Sequence, residues 1–207
     1  MKFLIGVDEA GRGPLAGPVA VGVVIAPAFF DIKENFPGVA DSKTLSPDKR
    51  EELFTKLEAF ANAGALRWVV TFASARTIDT KGLTYAVRSC VYKGVRTLAP
   101  REASGQAPSG YHVLLDGLLR APPEYAQQTI IGGDFSEPII SLASIAAKVK
   151  RDRLMRRLAK KYPAYGFEMH KGYGTAKHHE AIVQFGPCAI HRRTWIKDYG
   201  KISGRVV

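Results

Sequence analysis

The apolar positions of this chain fall into short runs separated by turns and by longer amphipathic segments. Five runs have the length and the β-branched content of buried strands: residues 2–8, 17–26, 66–75, 111–117 and 127–134. Only a short glycine-rich turn separates the first two runs, so they predict an antiparallel hairpin.

Four segments repeat their apolar residues with the period of a helix: residues 47–64, 78–99, 138–162 and 175–186. The first follows Ser46 and begins with proline, which is typical of a helix start. Gly82 weakens the second, and polar loops are expected at 35–46 and 100–110. Strands followed by strand–helix alternation predict a layered α/β fold with a mixed sheet.

Composition narrows the class of partner. The chain has 207 residues, of which 46% are hydrophobic, so it can bury the core of one domain. Its formal net charge of +11 points to a polyanion, although a merely basic protein is the alternative. No run approaches the roughly 18 apolar residues of a membrane span, so nucleic acid is favoured over a membrane. Cys90 and Cys188 have no paired spacing, which suits a reducing cytoplasm.

Acidic residues end three of the predicted strands. Asp8 and Glu9 end the first, Asp116 ends "VLLD" and Asp134 ends "TIIGGD". Strand ends gather at one rim of such a sheet, so these acids are expected to meet. Crowded carboxylates raise one another's pKa unless a divalent cation is present, and oxygen donors suit Mg²⁺ or Mn²⁺. The alternative for each acid taken alone is a solvated turn residue or a helix cap.

The stretch "GVDEAGRGPLAGP" follows the first pair of acids. Side chains alternate along a strand, so we expect the chain to turn at Ala10 and Gly11 if both acids are to face one site. Gly11 and Gly13 would leave the backbone open to a nucleic-acid strand, and Arg12 would meet a phosphate. A dinucleotide loop of a dehydrogenase is the alternative, but a strand rather than a helix follows.

Together these segments resemble ribonuclease HII, the type 2 ribonuclease H, from residue 4 to about 195. The segments, in family order, are GVDEAGRGPLAGPV, DSKTLS, LLDG, GGD, ASIAAKVKRD, YGFEMHKGYGT and GPCAIHRRTW. The resemblance implies an RNase H-like three-layer α/β fold, in which helices flank a central mixed five-stranded sheet. It implies a catalytic domain over 1–162 and a C-terminal helical extension over 163–207 that contributes to substrate binding.

The resemblance also implies an activity. The enzyme would hydrolyse the RNA strand of RNA–DNA hybrids and incise on the 5′ side of a single ribonucleotide in duplex DNA. Products would carry 3′-hydroxyl and 5′-phosphate ends, and two divalent ions, Mg²⁺ or Mn²⁺, would be required. The metal-binding and catalytic acids would be Asp8, Glu9, Asp116 and Asp134. The turn that contacts the ribose 2′-hydroxyl would be Gly11, Arg12 and Gly13, and Tyr173 would stack on the next deoxyribose.

Other residues are candidates for binding the substrate. Ser42 and Lys43 lie in a loop suited to clamp a phosphate, or Lys43 is simply solvated. Ser144 and Lys148 share one face of the long helix, where a phosphate contact and a surface position are both open. Arg192 either binds a backbone phosphate or fixes the tail.

The remaining chemistry-bearing residues are expected to be structural. Asp152 pairs with a neighbouring arginine, or else serves as a reserve metal ligand. His170 is expected to be structural, and His178 and His179 are expected on a helix surface.

The chain departs from the family pattern at Leu118 and Gly82, which stand where the family has asparagine, and more mildly at Leu142, where the family block reads AASI. Two alternatives remain open: a non-catalytic nucleic-acid binder of the same fold, and the related type 3 ribonuclease H, which needs an N-terminal domain before residue 8. A monomer in the cytoplasm is expected.

Overall fold

The computed structural model describes residues 2–39, 45–102 and 109–196. Its centre is a five-stranded sheet: β1 Phe3–Ala10, β2 Val19–Pro27, β3 Arg67–Ala73, β4 Tyr111–Asp116 and β5 Gln127–Ile130. The strand order is β3-β2-β1-β4-β5. β1 pairs antiparallel with β2 and parallel with β4. The predicted mixed sheet with an N-terminal hairpin is therefore confirmed.

Helices cover both faces of this sheet. Their bounds are α1 Ile32–Asn35, α2 Pro47–Asn62, α3 Ala75–Lys81, α4 Leu83–Leu98, α5 Gly133–Ser136, α6 Pro138–Lys161, α7 Phe167–His170 and α8 Ala176–Phe185. One apolar cluster joins α4 to the face of β1 that carries Ile5 and Val7. A second cluster joins α2 and α6 to the opposite face. Because strand side chains alternate, this arrangement gives three layers.

Two glycines let α6 lie directly on the sheet. A Cβ atom on Gly6 would lie 2.2 Å from the carbonyl oxygen of Ile139, and one on Gly22 would lie 2.1 Å from that of Ala143. Any side chain at either position would push the helix away. The close approach brings the middle of α6 over the end of β1.

Three element boundaries differ from the sequence prediction. The predicted helix 78–99 is two helices, because Gly82 adopts φ +82° and its N–H ends α3 on the carbonyl of Ile78. The fifth strand ends at Ile130, and Asp134 lies in the first turn of α5 instead of at a strand end. β1 continues through Ala10, so the predicted turn there is wrong, and the chain turns at Gly11 with φ +91°.

The residues after α6 pack on its C-terminal end. Met155 and Ala159 of α6 form an apolar cluster with Tyr165, Phe167 and the loop residue Ala16. The predicted division at residue 162 stays a prediction. Within the described ranges, no helix combines the length and apolarity needed to cross a membrane.

Candidate active site

A cavity of about 340 Å³ opens where β1 and β4 end. Residues 8–13 form one wall, and Asp116 follows from the neighbouring strand. Ser144 and Lys148 reach it from α6, and Tyr173 closes it from the loop after α7. The structure therefore brings together most of the residues that the sequence nominated, from positions up to 165 residues apart.

Asp8 and Glu9 enter this cavity from opposite faces of an extended strand. Asp8 lies opposite Gly22 of β2 and faces α6, whereas Glu9 points to the other face. β1 pairs with β4 only as far as Val7, so Glu9 projects beyond the end of its neighbour. The prediction that the chain must turn at Ala10 and Gly11 for both acids to face one site did not take account of this edge, where the two faces of the sheet open into one space.

Burial and mutual repulsion perturb both carboxyls. Burial, followed by the charges of Glu9 and Asp116, raises the pKa of Asp8 from 3.8 to about 8, although a Ser144 hydrogen bond opposes the rise. Burial also raises the pKa of Glu9, against the opposing charge of Arg12, whose Nη1 lies 3.2 Å from Glu9 Oε1. The predicted crowding of acids is confirmed for this pair.

The two remaining acids lie side by side. Asp134 is fully buried, and its backbone N–H approaches Asp116 Oδ1 at 3.4 Å. The carbonyl of Asp134 accepts a hydrogen bond of 2.6 Å from Ser141 Oγ on α6. Asp116 lines the cavity, while Asp134 is buried next to it and contributes no surface to the wall.

The donor set fits a hard divalent cation. All the candidate groups are carboxylates, and Glu9 Oε2 is buried without a hydrogen-bond partner among the described residues. Within residues 2–39, 45–102 and 109–196, no three acidic, histidine or cysteine side chains are close enough together to coordinate one metal ion. The carboxylates are thus gathered at one edge but do not close around a single point.

Two buried arginines hold the glycine turn from behind. Arg192 is fully buried and donates to the carbonyls of Gly11 at 2.5 Å and Arg12 at 2.6 Å. Burial and the nearby Arg151 lower the pKa of Arg192 to about 10. Its guanidinium is committed to the backbone, so the expected phosphate contact does not fit this position, and the alternative of fixing the tail does.

Arg151 is the second of these arginines, and the sequence analysis missed it. It is also buried and donates to the carbonyls of Pro18, Ala16 and Lys171. A Cβ atom on Gly11 would lie 2.1 Å from Arg151 Nε. The only signal in the sequence is its spacing of four residues from Met155, which places it on the apolar stripe of α6.

Several other predicted positions have different outcomes. Lys148 pairs with Asp152 at 2.6 Å, so Asp152 does form an ion pair, but its partner is a lysine and not an arginine. Ser42 and Lys43 lie outside the described residues. Arg50 of α2 also lines the cavity and was missed, because nothing in the sequence directs that helix toward the site.

The sequence matches the family description Ribonuclease HII over residues 5–198. The chain belongs to the ribonuclease HII family. A ribonuclease HII from Geotalea uraniireducens is 43% identical over 198 residues, which are 95% of this chain and 84% of the relative.

Solved structures agree with this assignment. The ribonuclease H2 from Pyrococcus horikoshii has a TM-score of 0.70 at 29% identity, covering 98% of both chains. A chain in the PCNA:RNase HII complex from Archaeoglobus fulgidus has a TM-score of 0.71 at 25% identity, covering 94% of both. The fold is thus RNase H-like. As a ribonuclease HII, the protein is a metal-dependent ribonuclease that acts on RNA–DNA hybrids.

Proposed function

We propose that the cavity also recognises single ribonucleotides in duplex DNA and incises on their 5′ side, leaving 3′-hydroxyl and 5′-phosphate ends. The observation that supports this proposal is the set of groups that surround the carboxylates. Asp8, Glu9 and Asp116 share one small cavity with an open glycine turn and the exposed ring of Tyr173. One ribonucleotide and its 3′ neighbour are enough to reach all three features.

The four acids hold the divalent ions in this proposal. Asp8 would be the ligand common to both ions, and Glu9, Asp116 and Asp134 would supply the other carboxylate ligands. Two bound Mg²⁺ or Mn²⁺ ions supply activation of water and stabilisation of the leaving 3′-oxygen. Ser144 faces Asp8 from α6 and favours the ionised carboxylate that a cation requires. Lys148 lies at the cavity wall and can balance a phosphate charge while it remains paired with Asp152.

The glycine turn selects the ribose. A Cβ atom on Gly13 would meet nothing nearer than the Tyr173 ring, at 3.9 Å, so the backbone is open to close approach. Arg192 fixes the carbonyls of Gly11 and Arg12, which fixes the direction of the peptide groups between them. Since the 2′-hydroxyl is what marks RNA, a rigid backbone is a suitable reader of it. Tyr173, which is 43% exposed, stacks on the following deoxyribose.

Basic residues supply affinity that does not depend on sequence. Arg12 and Arg50 lie at the cavity, and the whole chain carries a net charge of +11. Ser42 and Lys43 remain candidates for clamping a phosphate. Because binding releases counterions, affinity for the duplex falls steeply as salt is raised.

The decisive experiment uses a DNA duplex that contains one ribonucleotide, with Mg²⁺ or Mn²⁺, and identifies the ends of the products. Wild type is expected to cut once on the 5′ side, and Asp8→Asn is expected to bind without cutting. Tyr173→Ala is expected to lose about tenfold in kcat/KM on this duplex, as for loss of one stacking contact of about 1–3 kcal/mol. The same variant should lose less on a long hybrid. Binding by wild type without incision in either metal contradicts the proposal.

One chain supplies every residue assigned to the site, so we propose that a monomer is active, which sedimentation at assay concentration tests. We also propose that the enzyme works in the cytoplasm, with its two thiols reduced. Fractionation of cells and thiol titration of the isolated protein test this.

A further inference from the structure

Two buried histidines connect Tyr173 to the C-terminal segment. His178 Nδ1 lies 2.9 Å from the carbonyl oxygen of Tyr173, and His178 Nε2 lies 3.0 Å from His191 Nε2. At the other end, the backbone N–H of Cys188 donates to His191 Nδ1 at 2.9 Å. We call this chain of bonds from Cys188 to Tyr173 the histidine relay. His178 was expected on a helix surface, but neither of these histidines is exposed by more than 2%.

The partners at the two ends fix where the protons lie. The Tyr173 carbonyl can only accept, so His178 carries its proton on Nδ1. The N–H of Cys188 can only donate, so His191 Nδ1 is bare and its proton lies on Nε2. His191 therefore donates to His178, and every bond in the relay runs in one direction. The arrangement is complete only when both rings are neutral.

Aromatic packing keeps the relay dry and rigid. The ring of His170 stacks on His178 with centroids 4.5 Å apart, and Phe167 meets His178 edge-on at 5.4 Å. Tyr165 packs against His191 at 5.0 Å. Rings held on several sides leave the relay little freedom to rotate.

The same C-terminal segment holds both sides of the substrate pocket. Arg192 follows His191 directly and grips the carbonyls of Gly11 and Arg12. The relay passes through His191, one residue before Arg192, and ends on the backbone of Tyr173, whose ring lies next to the glycine turn. The distance between the turn and the tyrosine is therefore set by adjacent residues of one short segment.

We propose that His178 and His191 are positioning residues, which fix Tyr173 at the distance from the glycine turn that the RNA–DNA junction requires. This inference rests on the proposed role of Tyr173 at that junction. The histidines touch no substrate and transfer no proton.

The groups around the histidine relay favour the neutral form of both imidazole rings. Burial lowers the pKa of each histidine to about 4, and for His191 the second cause is His178 itself. The titratable and charged groups that face the pair are His170, His179, Arg193, Cys188 and Tyr165. None of these groups is a carboxylate, and burial raises the pKa of both the Cys188 thiol and the Tyr165 phenol, so none of them supplies a negative charge that would favour the charged form of the histidines at neutral pH.

The first test reads the protons directly and needs no activity. Long-range ¹H–¹⁵N spectra of the wild-type protein report which ring nitrogen carries the proton. We expect Nδ1–H for His178 and Nε2–H for His191, unchanged from pH 8 to pH 5.5. His112, at the far end of β4, serves as the reference histidine. A charged ring, or the opposite tautomer at either position at pH 7, overturns the relay.

The second test connects the relay to recognition. His178→Phe keeps the ring packing and loses both bonds, whereas His178→Asn keeps a donor near the position of Nδ1. We expect His178→Phe to raise KM about fivefold to tenfold on the single-ribonucleotide duplex with little change in kcat, and His178→Asn to recover most of that loss. In a Tyr173→Ala background, His178→Phe should have no further effect on KM.

Three results distinguish a failure of the positioning role from a failure of the proposed function and from a variant that does not fold. Equal losses by His178→Phe on a long hybrid and on the single-ribonucleotide duplex, or losses that multiply with those of Tyr173→Ala, overturn the positioning role. If wild type does not cut the single-ribonucleotide duplex, the proposed function fails, while the tautomer spectra still decide whether the relay exists. If His178→Phe does not fold, His191→Phe replaces it, with the same expected losses.

Discussion

Replacing Asp8 by asparagine should stabilise the metal-free protein while it removes activity. Asp8 is 4% exposed and shares its cavity with Glu9 and Asp116. Burial, followed by the charges of Glu9 and Asp116, raises its pKa from the ordinary value of 3.8 to about 8 in the folded protein. Between those values the folded state holds a proton that the unfolded chain has released, so stability falls as pH rises from about 4 to about 8. The asparagine amide does not titrate, so the Asp8→Asn variant does not lose stability in this way as pH rises.

The expected gain in the free energy of unfolding follows from the pH range between the unfolded and folded pKa values of Asp8. Each pKa unit corresponds to about 1.4 kcal/mol, and neutral pH lies roughly three units above the unfolded pKa of Asp8. Asp8→Asn should therefore gain at most about 4 kcal/mol at pH 7 in the absence of metal. For wild type, the last part of the window predicts a loss of about 2 kcal/mol between pH 6.5 and pH 8. Glu9, whose pKa is also raised, contributes with the same sign.

Urea unfolding in EDTA at pH 6.5, 7 and 8 measures both quantities. Mg²⁺ should then stabilise wild type more than Asp8→Asn, because a cation replaces the proton as the partner of the carboxylate. Asp152→Asn is the matched control. Its carboxylate pairs with Lys148, so that substitution should lose stability instead of gaining it. If Asp8→Asn is no more stable than wild type in EDTA at pH 7, the account of the crowded acids is wrong.

Other predictions concern the turn, the relay and the salt response. Gly11→Ala should be strongly destabilised because its Cβ would strike Arg151, whereas Gly13→Ala, which has open space, should keep its melting temperature. Arg192→Lys should lower stability and activity on both substrates, because one ammonium cannot hold two carbonyls as the guanidinium does, and circular dichroism with kinetics would test this. His178 and His191 have lowered pKa values, so their contribution to stability should fall as pH falls below about 6.5, and acid titrations of unfolding with Asp8→Asn, which lacks the opposing contribution of Asp8, would show this loss. KM for the single-ribonucleotide duplex should rise steeply between low and moderate salt, and a flat response would contradict the charge argument.

The sheet and the gathering of the acids could be predicted because both follow from local patterns. Short apolar runs rich in β-branched residues define the strands, and Asp8 and Asp116 come at the points where two parallel neighbours end together. The break at Gly82 was not predicted, since glycine inside a helical pattern is often tolerated, and only its positive φ ends α3.

The parts that could not be predicted depend on contacts between distant segments. Composition assigns Arg151, Arg192 and His178 to the surface, because charged and polar side chains are seldom fully buried. Their burial is possible because backbone carbonyls of residues 11–18 and 171–173 accept hydrogen bonds from their N–H groups. No periodicity in the sequence encodes that pairing.

The hydrogen bond from Arg192 to the carbonyl of Gly11 also has a consequence for synthesis of the chain on the ribosome. The two residues are 181 positions apart, so a ribosome completes the catalytic strand and its turn long before the arginine that secures them. Until Arg192 is added, the carbonyls of Gly11 and Arg12 lack the donor that holds them in the folded protein, and the proposed reader of the ribose lacks this support. A nascent chain therefore carries Asp8, Glu9, Asp116 and Asp134 before the residue that secures the glycine turn has been added.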